Sequence, residues 1–199
     1  MLVSKTAGIA AVLSLIVCSS LVKAQSFSEG TNMLGVGVGI GGNYNVGFSG
    51  SSVSQSPALA LHLDHGMGDL GPGVWGLGGF LGYKRIGYEY SYPGLGFAND
   101  YSSTYLVFGV RGSWHYNEWH QNDKLDTYGG VMLGYRSAKF SDNTVYPSGY
   151  NGLRFSSSDS GVDITGFLGA RYFFSEKIGA YGEFGYGVSV LQLGLAVKL

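Results

Sequence analysis

The chain has 199 residues, with 35 Gly, 15 Tyr and 11 Phe but only 13% charged side chains, and a formal net charge of −1. No basic excess points to nucleic acid, and glycine at this level without a G-X-Y period excludes collagen. Hydrophobic content of 45% is too high for a wholly disordered chain.

The first segment, residues 1–24, reads MLVSKTAGIAAVLSLIVCSSLVKA. Lys5 marks a short basic region, an apolar core follows, and Val22-Lys23-Ala24 is a small-residue cleavage site. It reads as a secretory signal removed after Ala24, leaving residues 25–199 as one barrel domain. Cys18 is the only cysteine and lies inside the signal, so the mature chain has neither a disulfide nor a thiolate metal site. With Lys5 and Lys23 gone, 10 basic residues face 13 acidic ones.

Eight segments then alternate with a period of two, the mark of β-strands with one apolar face. Leu34, Val36, Val38 and Ile40 interleave with Gly35, Gly37, Gly39 and Gly41. Leu59, Leu61 and Leu63 interleave with Ala60, His62 and Asp64, and Trp75, Leu77, Leu81 and Tyr83 with Gly76, Gly78, Phe80 and Gly82. Leu106, Phe108, Val110 and Trp114 interleave with Tyr105, Arg111, Ser113 and His115. The second half repeats this around Val131, Val162 and Ile178, and the chain closes on VLQLGLAVKL. Connections after the second, fourth and sixth segments are short, whereas those after the first, third and fifth are longer and richer in Ser, Tyr and Asn. The longest covers about residues 140–160, and a tight turn near Val188-Ser189 joins the last two segments. Short turns on one rim and long loops on the other are expected of an up-and-down barrel whose ends face different compartments.

Two barrels satisfy this pattern. A water-soluble one buries the leucine faces and shows rows of glycine to solvent, a poor surface. The other turns the leucines outward to lipid and packs glycine into a narrow lumen. A strand of ten residues tilted by ~40° rises about 25 Å along the bilayer normal, the height of an apolar belt. Trp75, Trp114, Tyr116, Trp119 and Tyr172 then gather near the short-turn rim as an interfacial ring. The expectation is an all-β, eight-stranded antiparallel up-and-down transmembrane β-barrel with both termini in the periplasm.

The signal, the eight strands and the closing strand resemble the small outer-membrane barrels of the OmpA/OmpX and opacity-protein type, and residues 169–199 resemble the last hairpins of Bacteroidetes-type members. The resemblance implies an assembly signal at the end of the chain, filled here by Gln192, Gly194, Val197 and Leu199. Members usually end in Phe or Tyr, where this chain has Leu199. It also implies an outer-membrane, monomeric protein whose partners are membrane lipid, lipopolysaccharide, the β-barrel assembly machinery and an unidentified extracellular ligand or cell surface.

Chemistry-bearing motifs are few. Gly37-Val38-Gly39-Ile40-Gly41-Gly42 fits G-x-G-x-x-G, but a loop follows where a dinucleotide site needs a helix, so these read as lumen glycines. His62 and Asp64 share a face and read as a lumen polar pair. His65, His115 and His120 read as rim groups, the last two as interfacial. Arg111 and Glu183 face inward at similar depth and are expected to pair and plug the lumen. Tyr88, Tyr90 and Tyr92 alternate beyond the third segment and are candidates for surface contact on a projecting ribbon. No catalytic residue, metal site or cofactor is assigned. The expected role is non-enzymatic, in envelope integrity or surface interaction through the outer loops. The alternatives are a narrow channel or small-ligand barrel, and a lipid A-modifying enzyme.

Overall fold

A computed structural model describes residues 27–42, 52–91, 98–146, 152–185 and 187–199. The segment 1–24 expected to be a signal, and Tyr92, lie outside the described residues. Among the described residues there are nine strands: β1 (Asn32–Ile40), β2 (Ser52–Gln55), β3 (Ala58–Leu70), β4 (Gly73–Ser91), β5 (Ala98–His115), β6 (Leu125–Asp142), β7 (Ser156–Phe173), β8 (Ile178–Gly185) and β9 (Leu191–Lys198). They form one sheet in the order β2-β4-β3-β1-β9-β8-β7-β6-β5, and pairing of β4 with β5 closes it. All pairings are antiparallel. No described helix is long and apolar enough to cross a membrane, and a closed barrel needs none.

Nine strands replace the expected eight because β2 is an added short segment. It pairs with Ile86–Glu89 of β4, while β3 pairs with the stretch from Gly73 to Tyr83 of the same strand. Ser56-Pro57 separates the two, and Pro57 has no N–H to offer the ladder. Strands also run further than periodicity indicated. β3 extends to Leu70, leaving Gly71-Pro72 as the turn, with Gly71 in the left-handed region at φ +61°. β6 and β7 invade the expected 140–160 loop from both sides, since Ser, Asp and Lys pair in register there without any apolar alternation.

The leucine faces point outward. Val36, Val38, Leu59, Leu61, Val110, Val131, Leu133, Ile164, Leu168, Leu193 and Leu195 are all exposed. Hydrophobic residues on this scale facing water would drive aggregation, whereas facing acyl chains they are solvated. Trp75 and Trp114 sit opposite each other in register at the short-turn rim, and Trp114 stacks on Tyr116 with ring centroids 5.3 Å apart.

Inside, the glycines of β1 make room for side chains from other strands. A Cβ on Gly35 would meet His62, one on Gly37 would lie 2.3 Å from Tyr181 Oη, and one on Gly39 would lie 2.4 Å from Ser189 Oγ. Gly37 and Gly39 are the first two glycines of the apparent dinucleotide motif.

Candidate functional site: the lumen and the outer mouth

Charged residues of five strands meet inside the barrel. Asp64 of β3, Arg111 of β5, Asp126 of β6, Arg171 of β7 and Glu183 of β8 each lie on the inward parity of their strand, and all are buried. Arg111 Nη2 donates to Glu183 Oε2 at 2.8 Å, and Arg111 Nε lies 3.0 Å from Asp64 Oδ1. Arg171 bridges the other side of Asp64 to Asp126, donating from Nη2 to Asp64 Oδ2 and from Nη1 to Asp126 Oδ2 at 3.2 Å. Tyr128 donates its hydroxyl to Glu183 Oε2 at 3.1 Å, and its ring lies 4.2 Å from the Arg171 guanidinium carbon. Acid and base therefore alternate along one chain: Asp126, Arg171, Asp64, Arg111, Glu183. Each carboxylate has at least one guanidinium, the condition under which buried charge is tolerated.

The chain continues toward the short-turn end through histidine. His115 Nδ1 lies 2.8 Å from Asp126 Oδ1, and Ser113 Oγ lies 3.0 Å from His115 Nε2. His115 is 1% exposed, so it is a lumen residue and not the interfacial one expected from its place near the rim. Its position on the inward parity of β5, with Ser113 and Arg111, decides the matter.

Serine, histidine and aspartate in this order have the outline of a hydrolytic relay, yet the surroundings remove the chemistry. Phe27 stacks flat on the imidazole at 3.7 Å and closes the floor. Asp126 divides its charge among His115, Asn117 and Arg171. Ser113 sits within β5, whose backbone is paired on both sides with β4 and β6, so no free N–H is placed to hold an oxyanion. The relay ties the floor of the barrel together.

His62 is buried beside Arg171 and Tyr181, whereas His65 bonds Asn32 at the exposed rim through Nδ1 at 2.8 Å. Among the described residues no group of three His, Cys, Asp or Glu side chains is placed to hold a metal ion.

Above the ion chain lies an apolar layer of Ala58, Ala60, Phe80, Val107, Met132, Phe167 and Val188. Val188 and Ser189 belong to the β8–β9 connection, which dips into the lumen and does not cap it from outside. A cavity of about 30 Å³ remains between the two layers, bordered by Arg111, Glu183, Ser189 and Gln192. It takes about one water, which accounts for the unpartnered Ser189 Oγ and Gln192 Oε1. Higher still, Lys84 Nζ reaches across to the carbonyl of Gly41 at 2.6 Å.

The mouth is asymmetric. β8 and β9 are 8 residues long, and β6 and β7 are 18. β8 pairs with Phe167–Phe173 of β7 only, so Ser156–Gly166 of β7 is paired on the β6 side alone among the described residues. β4 to β7 thus rise past the barrel as a sheet with a long edge. On its concave side Ile86, Tyr88 and Tyr105 form a buried cluster. Tyr88 is 3% exposed, which corrects its assignment as a surface contact: it continues the lumen parity of Lys84 and Ile86 and faces inward over the mouth. Tyr90 at the tip is 37% exposed. On the opposite terminus of the barrel wall, Gln192 is buried in the lumen, Gly194 faces Gly37 and Tyr181 in register, Val197 faces Leu34 and Ile178, and Leu199 is exposed.

The family model "Outer membrane protein beta-barrel domain" matches residues 10–193. The chain belongs to that family. Its place is therefore the outer membrane, and the exposed leucine band is the lipid-facing surface of an outer-membrane β-barrel. No curated protein matches the chain. Among solved structures it is similar to the attachment invasion locus protein Ail of Yersinia pestis in complex with the heparin analogue sucrose octasulfate. That match has 16% identity and a TM-score of 0.48, covering 85% of this chain and 98% of that one. Ail alone gives 16% identity and 0.44 over the same shares. Ail in a phospholipid bilayer nanodisc gives 16% and 0.44, with 86% and 100% covered.

Proposed function

We propose that this outer-membrane β-barrel is a closed, non-enzymatic anchor that presents the β4–β7 sheet to partners outside the cell. The observation that carries the reading is the edge of β7 from Ser156 to Gly161, beyond the lipid-facing stretch that begins at Val162, which among the described residues is paired on the β6 side alone. Natural sheets blunt such edges with lysine, proline or a cover because an open edge recruits another strand. Here the edge reads SSSDSG, with small side chains and no lysine or proline. An extended segment of a partner can add to it through backbone hydrogen bonds. Tyr90, near the tip of the neighbouring hairpin, supplies aromatic contact area.

In this reading β2 and β3 form one interrupted rung, so the wall has eight rungs, with both termini on the short-turn, periplasmic side. Arg111 and Glu183 help seal the lumen, which speaks against the channel alternative. Gln192, Gly194, Val197 and Leu199 act as the assembly signal that the β-barrel assembly machinery reads, and the surrounding lipid and lipopolysaccharide are the partners of the wall. Replacing Ser158 and Ser160 together by lysine tests the edge. Cells displaying the variant should insert it as well as wild type, shown by the same heat-modifiable band, yet lose loop-dependent attachment to cells or matrix. Attachment that survives both lysines counts against strand addition.

A further inference from the structure

A groove of about 750 Å³ lies on the outer, lipid-facing surface over β6, β7 and β8. Its floor is glycine. Gly129 and Gly166 both point outward, and a Cβ on Gly166 would find its nearest neighbour, the carbonyl oxygen of Gly130, only at 4.0 Å. One wall is the aromatic rim of Trp114, Tyr116 and Trp119, and the other is Leu168 with Phe184. The aromatic wall is fixed in place. Trp114 Nε1 donates to the carbonyl of Leu70 at 3.1 Å, Trp119 Nε1 donates to Thr127 Oγ1 at 3.1 Å, and Trp114 stacks on Tyr116 at an interplanar angle of 6°. With both indole N–H groups already satisfied, the wall offers flat apolar surface to whatever lies in the groove.

We propose that this groove holds one acyl chain of an amine-bearing, zwitterionic phospholipid of the periplasmic leaflet. The groove opens at the short-turn rim, so a chain entering it descends from a headgroup at that rim. Its lining is almost wholly apolar, which suits methylenes and not a peptide backbone with N–H and C=O groups to satisfy. The β5–β6 turn beside the opening exposes Glu118, Asp123 and Lys124. Two carboxylates and one ammonium favour a headgroup that carries its own ammonium beside its phosphate, and disfavour a purely anionic one. An aromatic rim alone orients any annular lipid. A glycine trough against pre-positioned rings adds contact along a single chain, and pre-positioning lowers the entropy cost of holding it.

The proposal rests on the short-turn rim facing the periplasm, and the experiment separates that placement from the groove. The full mature chain is folded into nanodiscs of equal phosphatidylethanolamine and phosphatidylglycerol, released, and weighed intact. Wild type should retain one phosphatidylethanolamine in preference to phosphatidylglycerol. Gly166→Leu fills the trough and should cut that retention several-fold, as should Trp119→Ala on the turn. Gly79→Leu, at an outward glycine with open space on β4 outside the groove, should retain lipid as wild type does. Equal retention by Gly166→Leu, equal retention of the two lipids, or a second copy of the chain in place of lipid overturns the proposal. Protease access to the 117–124 turn from the periplasmic side of cells reports the placement independently of lipid.

Discussion

Glu183 decides more than its single negative charge suggests. It takes two contacts from Arg111 and one from Tyr128, with 3% of its surface exposed. Glu183→Ala would strand the end of a guanidinium in a sealed lumen, and removing one partner of a buried pair typically costs about 3–5 kcal/mol. Asp64 still holds Arg111 Nε, so the expected loss lies toward the lower bound, read as a fall in melting temperature with membrane insertion unchanged. Glu183→Gln keeps both acceptor and shape for Tyr128 and should lose less. A melting temperature unmoved in both variants would show that the pair is not structural. The inward glycines make a second residue-scale case. Gly37→Ala brings a Cβ to 2.7 Å from the Leu193 carbonyl oxygen as well as onto Tyr181, whereas at Gly112, on the outward parity of β5, nothing lies within 4 Å. Overpacking of this kind costs about 1–3 kcal/mol. Gly37→Ala should therefore unfold at clearly lower temperature than wild type, and Gly112→Ala should match wild type. Which residues enter the lumen was legible from parity alone: Asp64, Arg111, Asp126, Arg171 and Glu183 all interleave with outward apolar residues. Which of them touch was not, because height in a tilted barrel depends on register, and period-two alternation carries no register. Hence Arg171, which links two carboxylates, went unnoticed in the sequence, and so did the bond from His115 to Asp126.

At the scale of elements, the strands that face lipid announce themselves and their extensions do not. β7 alternates from Val162 to Tyr172, where Val162, Ile164, Leu168 and Tyr172 meet acyl chains and only Gly166 and Ala170 interrupt the apolar face. From Ser156 to Gly161 both faces meet water, so no alternation is required and the sequence reads as loop, although pairing with β6 continues to Ser141. The same holds for the segment after β6. Asn143 donates its backbone N–H to the Asp100 carbonyl at 2.7 Å, and the backbone N–H of Asp100 donates to Thr144 Oγ1 at 3.1 Å, folding this stretch onto the start of β5. Asp142 holds that fold. Its partial burial pushes the carboxyl up, but hydrogen bonds from the Thr144 side chain and backbone, together with nearby Arg154, outweigh it and set the group below the ordinary carboxylate range. A depressed native pKa means the carboxylate stabilises the docked segment fully above the ordinary aspartate value, about 3.9, and the contribution fades as pH falls through the lowered native one. Amide exchange at Thr144 should accordingly stay slow from neutral pH down to about 4, after allowance for the intrinsic pH dependence of exchange, and rise in stronger acid. Asp142→Asn should show the fast-exchange state at every pH. Protection in that variant equal to wild type would place the docking energy elsewhere, in the Asn143–Asp100 bonds.

At the scale of the whole molecule, the barrel is a stack of closed layers. Phe27 covers the floor, the alternating ion chain fills the middle, the cluster around Phe80 and Val188 lies above it, and Lys84 reaches over toward β1. The cavity between the ion chain and the apolar layer has about 30 Å³, room for one water and not for a hydrated ion with its shell. The sequence made the narrow lumen legible through its inward glycines and large side chains, but not the apolar layer, because Val188 enters from a connection whose short length looked like an ordinary surface turn. Two seals of different chemistry in series have a measurable consequence. Wild type reconstituted in planar bilayers should give no steady conductance steps. Glu183→Ala should be silent as well, since loosening the ion chain leaves the layer of Phe80, Val107, Met132, Phe167 and Val188 in place, and an apolar constriction excludes ions by staying dry. Steps in wild type would refute a closed barrel. Steps in Glu183→Ala alone would assign the seal to the ion chain and leave the apolar layer with a packing role only.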